Sequence, residues 1–186
     1  MNTLAKVERR LRTYCYYLGD ILKQLQDEFP PLLLATQQAK TEDSIAFAAG
    51  KCAAHCAIIE KFVFYAHHFS IPIDCLRSER ADTVFESLYN SILDNPKALK
   101  EKLYAYQSYV RELGIQFQAA HKHAVWREQA DKVGLYGAFA SGQSIAFYAV
   151  RSTLRLQAKS FLIPLKEIGM KDPIPVYFLS GISESA

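Results

Sequence analysis

Between Ser44 and His68 the chain reads SIAFAAGKCAAHCAIIEKFVFYAHH, and the firmly charged side chains in that stretch are Lys51, Glu60 and Lys61. Successive residues of an α-helix turn by about 100°, so Glu60 falls opposite Lys51, and Lys61 about 80° away from Lys51. A helix here is apolar nearly all round, the pattern of an element that other helices surround. The segment therefore predicts an all-α fold with this helix near its centre.

A chain of 186 residues can bury about 70% of its unfolded surface, enough for one independent core. The 22 Lys+Arg against 19 Asp+Glu leave a net charge of +3, too low for a dedicated polyanion binder, so any such role needs a local patch. Cys15, Cys52, Cys56 and Cys75 read as free thiols of a reducing compartment. The opening MNTLAKVERRLR is charged from residue 6 onward and lacks the apolar core of a signal peptide. Lys51, Glu60 and Lys61 interrupt the longest apolar run, and one charge near a bilayer centre costs about 2.5 to 3.5 kcal/mol. A cytoplasmic protein that does not enter a membrane is expected.

Leu4, Val7, Leu11, Tyr14, Leu18, Ile21, Leu25 and Phe29 alternate at three- and four-residue steps, predicting a long first helix that Pro30-Pro31 should end. Thr41, Glu42 and Asp43 supply a cap and an acidic first turn for the Ser44–His68 helix. A short helix is expected from Asp82 to about Asp94. Asn95-Pro96 then caps a third long helix, whose Leu99, Leu103, Tyr106, Val110, Leu113, Phe117, Ala120 and Ala124 repeat at four- and three-residue steps. Gly134, Gly137 and Gly142 should break the chain, with Ser141 capping a last helix from about Gly142 to Ile168 and Pro164 kinking its end. The expectation is a single-domain bundle of five to six helices over residues 1–169, with an extended tail over 170–186 whose VYFL packs on the bundle or on a partner. Ser44-Ile45-Ala46-Phe47 recurs as Ser144-Ile145-Ala146-Phe147, read either as two related helical halves or as coincidence between two apolar helix starts.

Cys52, His55 and Cys56 lie within one helical turn, yet zinc takes four ligands and nothing here has zinc-finger spacing. They read as core groups, cysteine being among the most buried residue types. His67-His68 and His121-Lys122-His123 point their members apart on a helix, and Glu-x-x-His repeats, phosphate loops and nucleophile elbows are missing. No catalytic constellation, metal or cofactor is expected, and the protein reads as one that binds rather than catalyses.

Basic residues are the remaining clue. Lys6, Arg9, Arg10 and Arg12 gather beside Tyr16 and Tyr17. Lys122, Trp126 and Arg127 form a second group, and Arg151, Arg155 and Lys159 recur every fourth residue on the last helix. Cations interleaved with aromatics suit single-stranded nucleic acid, phosphates meeting charge and bases meeting rings; the bland rival is a solvated helix face. SIAFAAGKCAAHCAIIEKF and LKEKLYAYQSYVREL resemble the two helical blocks of the bacterial primosomal replication protein PriC family. That resemblance implies an all-helical protein that binds single-stranded DNA at stalled forks and helps load the replicative helicase. The arginine density typical of that family is missing here. The expected function is a nucleic-acid-binding accessory factor of replication or DNA processing. The rival is an adaptor or small subunit of a bacterial assembly, meeting a protein partner or a second copy through the Leu99–Ala124 seam or the tail.

Overall fold

A computed structural model describes residues 3–72, 95–131 and 134–170. Among them stand four α-helices, α1 (Thr3–Gln38), α2 (Glu42–His68), α3 (Pro96–Ala130) and α4 (Leu135–Ser160), and one 3-10 helix, Leu165–Ile168. All-α architecture is as expected, but the described helices number four rather than five or six. The helix expected over Asp82 to Asp94 and the tail beyond Met170 lie outside the described residues. Consecutive helices run antiparallel: Leu25 and Thr36 of α1 meet His55 and Cys52 of α2, Tyr109 and Lys102 of α3 donate to the Phe62 and Ser70 carbonyls, and His121 and Glu128 of α3 lie beside Arg151 and Ser141 of α4. It follows that α2 and α4 run in the same direction.

Helix α1 does not stop at its prolines. A helical proline gives up its own N–H and crowds the carbonyl four residues back. Here those carbonyls belong to Gln26 and Asp27, both exposed, where water can satisfy them. On the inner side His55 Nε2 meets the Leu25 carbonyl at 2.8 Å, and the His55 ring stacks on Phe29 with centroids 5.2 Å apart. The contact with α2 carries α1 onward to Gln38.

The caps are those the sequence announces. Thr41 and Ser44 form a reciprocal capping box, and the Asn95 side chain accepts from the Ala98 N–H at 3.1 Å. Three helical ends close with a left-handed residue, Ser70, Leu162 and Gly169, each followed by a buried apolar one, Ile71, Ile163 and Met170. Helix α4 thus ends at Ser160 instead of running to Ile168. Pro164 opens the 3-10 helix rather than kinking α4.

Gly137 and Gly142 lie inside α4 rather than breaking the chain, and α4 starts at Leu135 after Gly134, whose φ is 98°. The reason is packing. A β-carbon on Gly50 would stand 2.0 Å from the Phe139 carbonyl oxygen, and one on Gly142 would stand 2.1 Å from that of Phe47. Glycine lets the parallel pair α2 and α4 touch backbone to backbone. The crossing pairs Gly50 with Gly142, not with Val150 as the repeated Ser-Ile-Ala-Phe motif would require. Ser44 serves a cap, whereas Ser144 is buried well inside α4. The two copies are not structural equivalents.

Helix α2 is not wrapped on all sides: Ala54, Ile58, Phe62 and Ala66 enter the core, but Ile45, Val63 and Phe64 stay exposed. The four described helices have no central member, so each keeps an outer face. The α3 seam is spent inside the same core, Leu99, Tyr106, Val110, Leu113, Phe117 and Ala124 being buried. It therefore offers no surface for a partner or a second copy.

Candidate nucleic-acid interface

Turns of α1 place Lys6, Arg9, Arg10 and Thr13 on one face, at steps of three and four. That face looks across a groove of about 320 Å³ at Phe161, Leu162, Ile163, Pro164 and Glu167. Glu167 holds the groove together by accepting from both Arg10 Nη2 and the Tyr14 hydroxyl. Burial by itself would raise the Glu167 pKa, but these two donors outweigh it and hold the carboxyl below its usual range, so it stays charged. Arg10 is raised chiefly by its bond to Glu167. Burial, then the bond to Glu167, pushes the Tyr14 hydroxyl up to about 12. Lys6 and Arg9 stay exposed on one rim, and Lys159 and Lys166 are exposed on the elements that build the other. Leu162 is 89% exposed with φ 55°, an apolar side chain held out by a backbone that leucine rarely adopts.

The remaining expected site residues are scattered. Arg12 is exposed and Tyr16 half-buried, and neither lines the groove. Tyr17 is fully buried and spends its hydroxyl on the Leu154 carbonyl at 3.1 Å, so it cannot stack on a base. Lys122, Trp126 and Arg127 lie near the far end of α3. Five residues beyond His121 in one direction and ten beyond Arg151 in the other put Trp126 and Phe161 on the order of 20 Å apart along the bundle. Trp126 is exposed and tilts against His123, so this is a second patch and not part of the first.

The supposed stripe of Arg151, Arg155 and Lys159 is no stripe. Four residues exceed one helical turn by about 40°, so two such steps rotate a side chain by roughly 80°. Arg151 accordingly points into the core at 5% exposure, Arg155 is half-buried and Lys159 reaches solvent. Arg151 Nη1 meets His121 Nδ1 at 2.5 Å. Burial and then the Arg151 charge lower the His121 pKa to about 4, and burial followed by Arg155 lowers that of Arg151.

Among the described residues no three His, Cys, Asp or Glu side chains converge as metal ligands. Cys52 contacts Thr36 at 3.3 Å, Cys56 faces solvent and His55 is committed to Leu25, so the one-turn cluster points three ways. No described helix is long and apolar enough to cross a membrane. Sequence reasoning missed Glu167, Tyr14 and Leu162 as parts of a site. Arg10 and Tyr14 stand at i and i+4, but their shared carboxylate lies more than 150 residues on, where no local pattern points to it. No family model, curated protein or solved structure matches this chain.

Proposed function

We propose that the protein is a cytoplasmic, non-catalytic accessory factor that binds single-stranded nucleic acid in the groove between α1 and the turn after α4. The observation that carries this reading is that Lys6, Arg9 and Arg10 face Phe161, Leu162, Ile163 and Pro164 across one groove, with Lys159 and Lys166 exposed on the neighbouring elements. The exposed cations neutralise phosphates, while Phe161, Leu162 and Pro164 offer the flat or apolar contact that an unstacked base needs. Glu167 has a positioning role: it fixes Arg10 and leaves the outer cations to the strand. The resemblance to the PriC family points the same way. Tyr17 and Arg151 have no part in it.

Four phosphates neutralised by Lys6, Arg9, Lys159 and Lys166 imply a slope of log affinity against log salt near −2.8, or about a 50-fold loss between 50 and 200 mM. Anisotropy titrations with single-stranded DNA, duplex DNA and RNA test this. Lys6→Glu with Arg9→Glu should abolish binding while leaving the helical circular dichroism intact. No binding at about 50 mM salt, or binding indifferent to the double change, sinks the proposal.

A second reading, that the protein is an adaptor, rests on the other end of the bundle. Leu33 and Leu34 of α1, Ile45 of α2, and Leu135 and Tyr136 of α4 are all exposed where those helices meet. Size exclusion of the full chain against Leu34→Glu with Tyr136→Glu separates the two: a self-associating wild type made monomeric by these changes favours the adaptor.

A further inference from the structure

Beyond Leu25 no residue of α1 is buried, and a hollow of about 480 Å³ opens between α1, α2 and α4. Its walls are mainly apolar, with Leu25, Pro31 and Leu32 from α1, Ile58 from α2, and Ile145 and Val150 from α4. Ile58 and Val150 make its floor, at 1% and 3% exposure. Protein interiors are normally close-packed, but here Ala35, Ala146 and Ala149 also face the space and are too short to fill it. A second hollow of about 290 Å³ adjoins the first and shares Leu32, Ala35 and Lys51 with it. The two make one apolar trough of the size that holds a small ligand.

Lys51 stands where the two hollows meet. It is half-buried, its ammonium 5.9 Å from the centre of the Phe47 ring, which lines the smaller hollow. Among the described residues the ion pairs are Arg10 with Glu167 and Lys97 with Glu101, so none supplies Lys51 with a carboxylate. A cation partly withdrawn from water gains most from a counter-charge that arrives with apolar cover. Asp27 and Glu28 border the larger hollow too, but both are exposed to water, and Glu28 is engaged by Gln24 Nε2 at 3.1 Å. They stand level with His55, about one turn beyond Lys51. From Lys51 to Ile58 is seven residues, roughly 10 Å of helix, which a saturated chain of about eight to ten carbons covers. We propose that the trough seats a free medium-chain fatty acid, its carboxylate on Lys51 and its hydrocarbon over Ile58 and Val150. The site shares no residue with the groove between α1 and the turn after α4, and it stands independently of the binding proposed there.

The test uses the full chain and sodium decanoate below its micelle concentration, with decanol and decyltrimethylammonium as chain-matched probes. Decanoate should raise Tm saturably, by about 3 to 6 °C at ten times its half-saturating concentration. From hexanoate to octanoate affinity should climb about three- to fourfold per methylene, then level off past decanoate as the trough fills. Lys51→Met keeps the apolar stem and should weaken decanoate about tenfold or more without touching decanol. Ala149→Phe fills the trough and should abolish both, and Lys6→Glu with Arg9→Glu should change neither. A Tm that stays or falls, decanol or the ammonium binding as tightly as decanoate, affinity that climbs without limit, or indifference to Lys51→Met overturns the proposal. Should Ala149→Phe fail to fold, the wild-type Ile58 and Ile145 methyl resonances decide. Decanoate must move them with the same half-saturation as Tm, and resonances that stay in place overturn the assignment equally.

Discussion

Replacing Gly50 or Gly142 with alanine tests the crossing that draws α2 and α4 together. On propensity alone each change should stabilise the protein, since alanine is better than glycine inside a helix by about 1 kcal/mol. Packing opposes this. The new β-carbons would lie 2.0 Å and 2.1 Å from the carbonyl oxygens of Phe139 and Phe47, where ordinary contact begins near 3.4 Å. The obstacle is backbone, so no side chain can rotate away and the helices must part by over 1 Å. Overpacking of that kind costs about 1 to 3 kcal/mol, and a gap of that size forfeits a quarter to a half of the dispersion energy along the seam. With the clash at the upper end, each single change should lose about 2 kcal/mol net, or about 4 to 8 °C in Tm for a chain of this length. Both β-carbons wedge the same crossing, so once the first has parted the helices the second pays little and keeps its propensity gain. The double variant should therefore lose at least about 1 kcal/mol less than the sum of the singles. Urea unfolding followed by circular dichroism measures all three. Stabilisation by either single change, or strict additivity, would show that the helices do not meet as closely as described.

Two further outcomes follow from side chains in strained or buried settings. His121 titrates near 4 when folded and near its ordinary 6.5 when unfolded, so its neutral form contributes stability in full above pH 6.5 that drains away as pH falls to 4. The slope is about 1.4 kcal/mol per pH unit, and His121→Gln, which keeps an acceptor for Arg151, should flatten urea midpoints between pH 6.5 and 4.5 relative to wild type; unchanged slopes refute it. Leu162→Asn should raise stability by about 0.5 to 1 kcal/mol, because asparagine tolerates φ 55° and the leucine buries almost nothing, while weakening single-strand binding. A variant that binds as tightly as wild type removes Leu162 from the interface.

Features governed by neighbours a few residues apart were legible. The caps at Thr41 and Asn95, the apolar stripe of α1 and the α3 seam each follow from spacing, and each stands in the structure. Features that depend on a distant partner were not. Pro30-Pro31 reads as a stop until His55 is found holding the Leu25 carbonyl, and Gly142 reads as a break until α2 is found touching it. Of the candidate site, Lys6, Arg9, Arg10 and Lys159 were readable as surface cations. Tyr17 and Arg151 were misplaced for one reason. A tyrosine or arginine satisfies a buried position whenever a carbonyl or an imidazole waits there, and residue type alone does not say whether it does.

The two ends of the bundle differ because neighbouring helices close on one another at different heights. Toward the N-termini of α2 and α4, glycines bring that pair into backbone contact, and α1 gives way: beyond Leu25 none of its residues is buried. Its last turns, with Leu33 and Leu34, are left as an apolar arm. At the opposite end α1 packs beside α3, where Tyr14 comes within hydrogen-bonding reach of Gln107, and Tyr17 fills the space beside Leu154. There α4 has already ended, so the chain must turn at Leu162 and fold the Pro164–Glu167 segment against α1. The groove with its cationic rim is thus a product of where α4 stops. Extending α4 by a turn would close the groove, which ties the proposed interface to the left-handed residue at position 162 rather than to the basic residues alone.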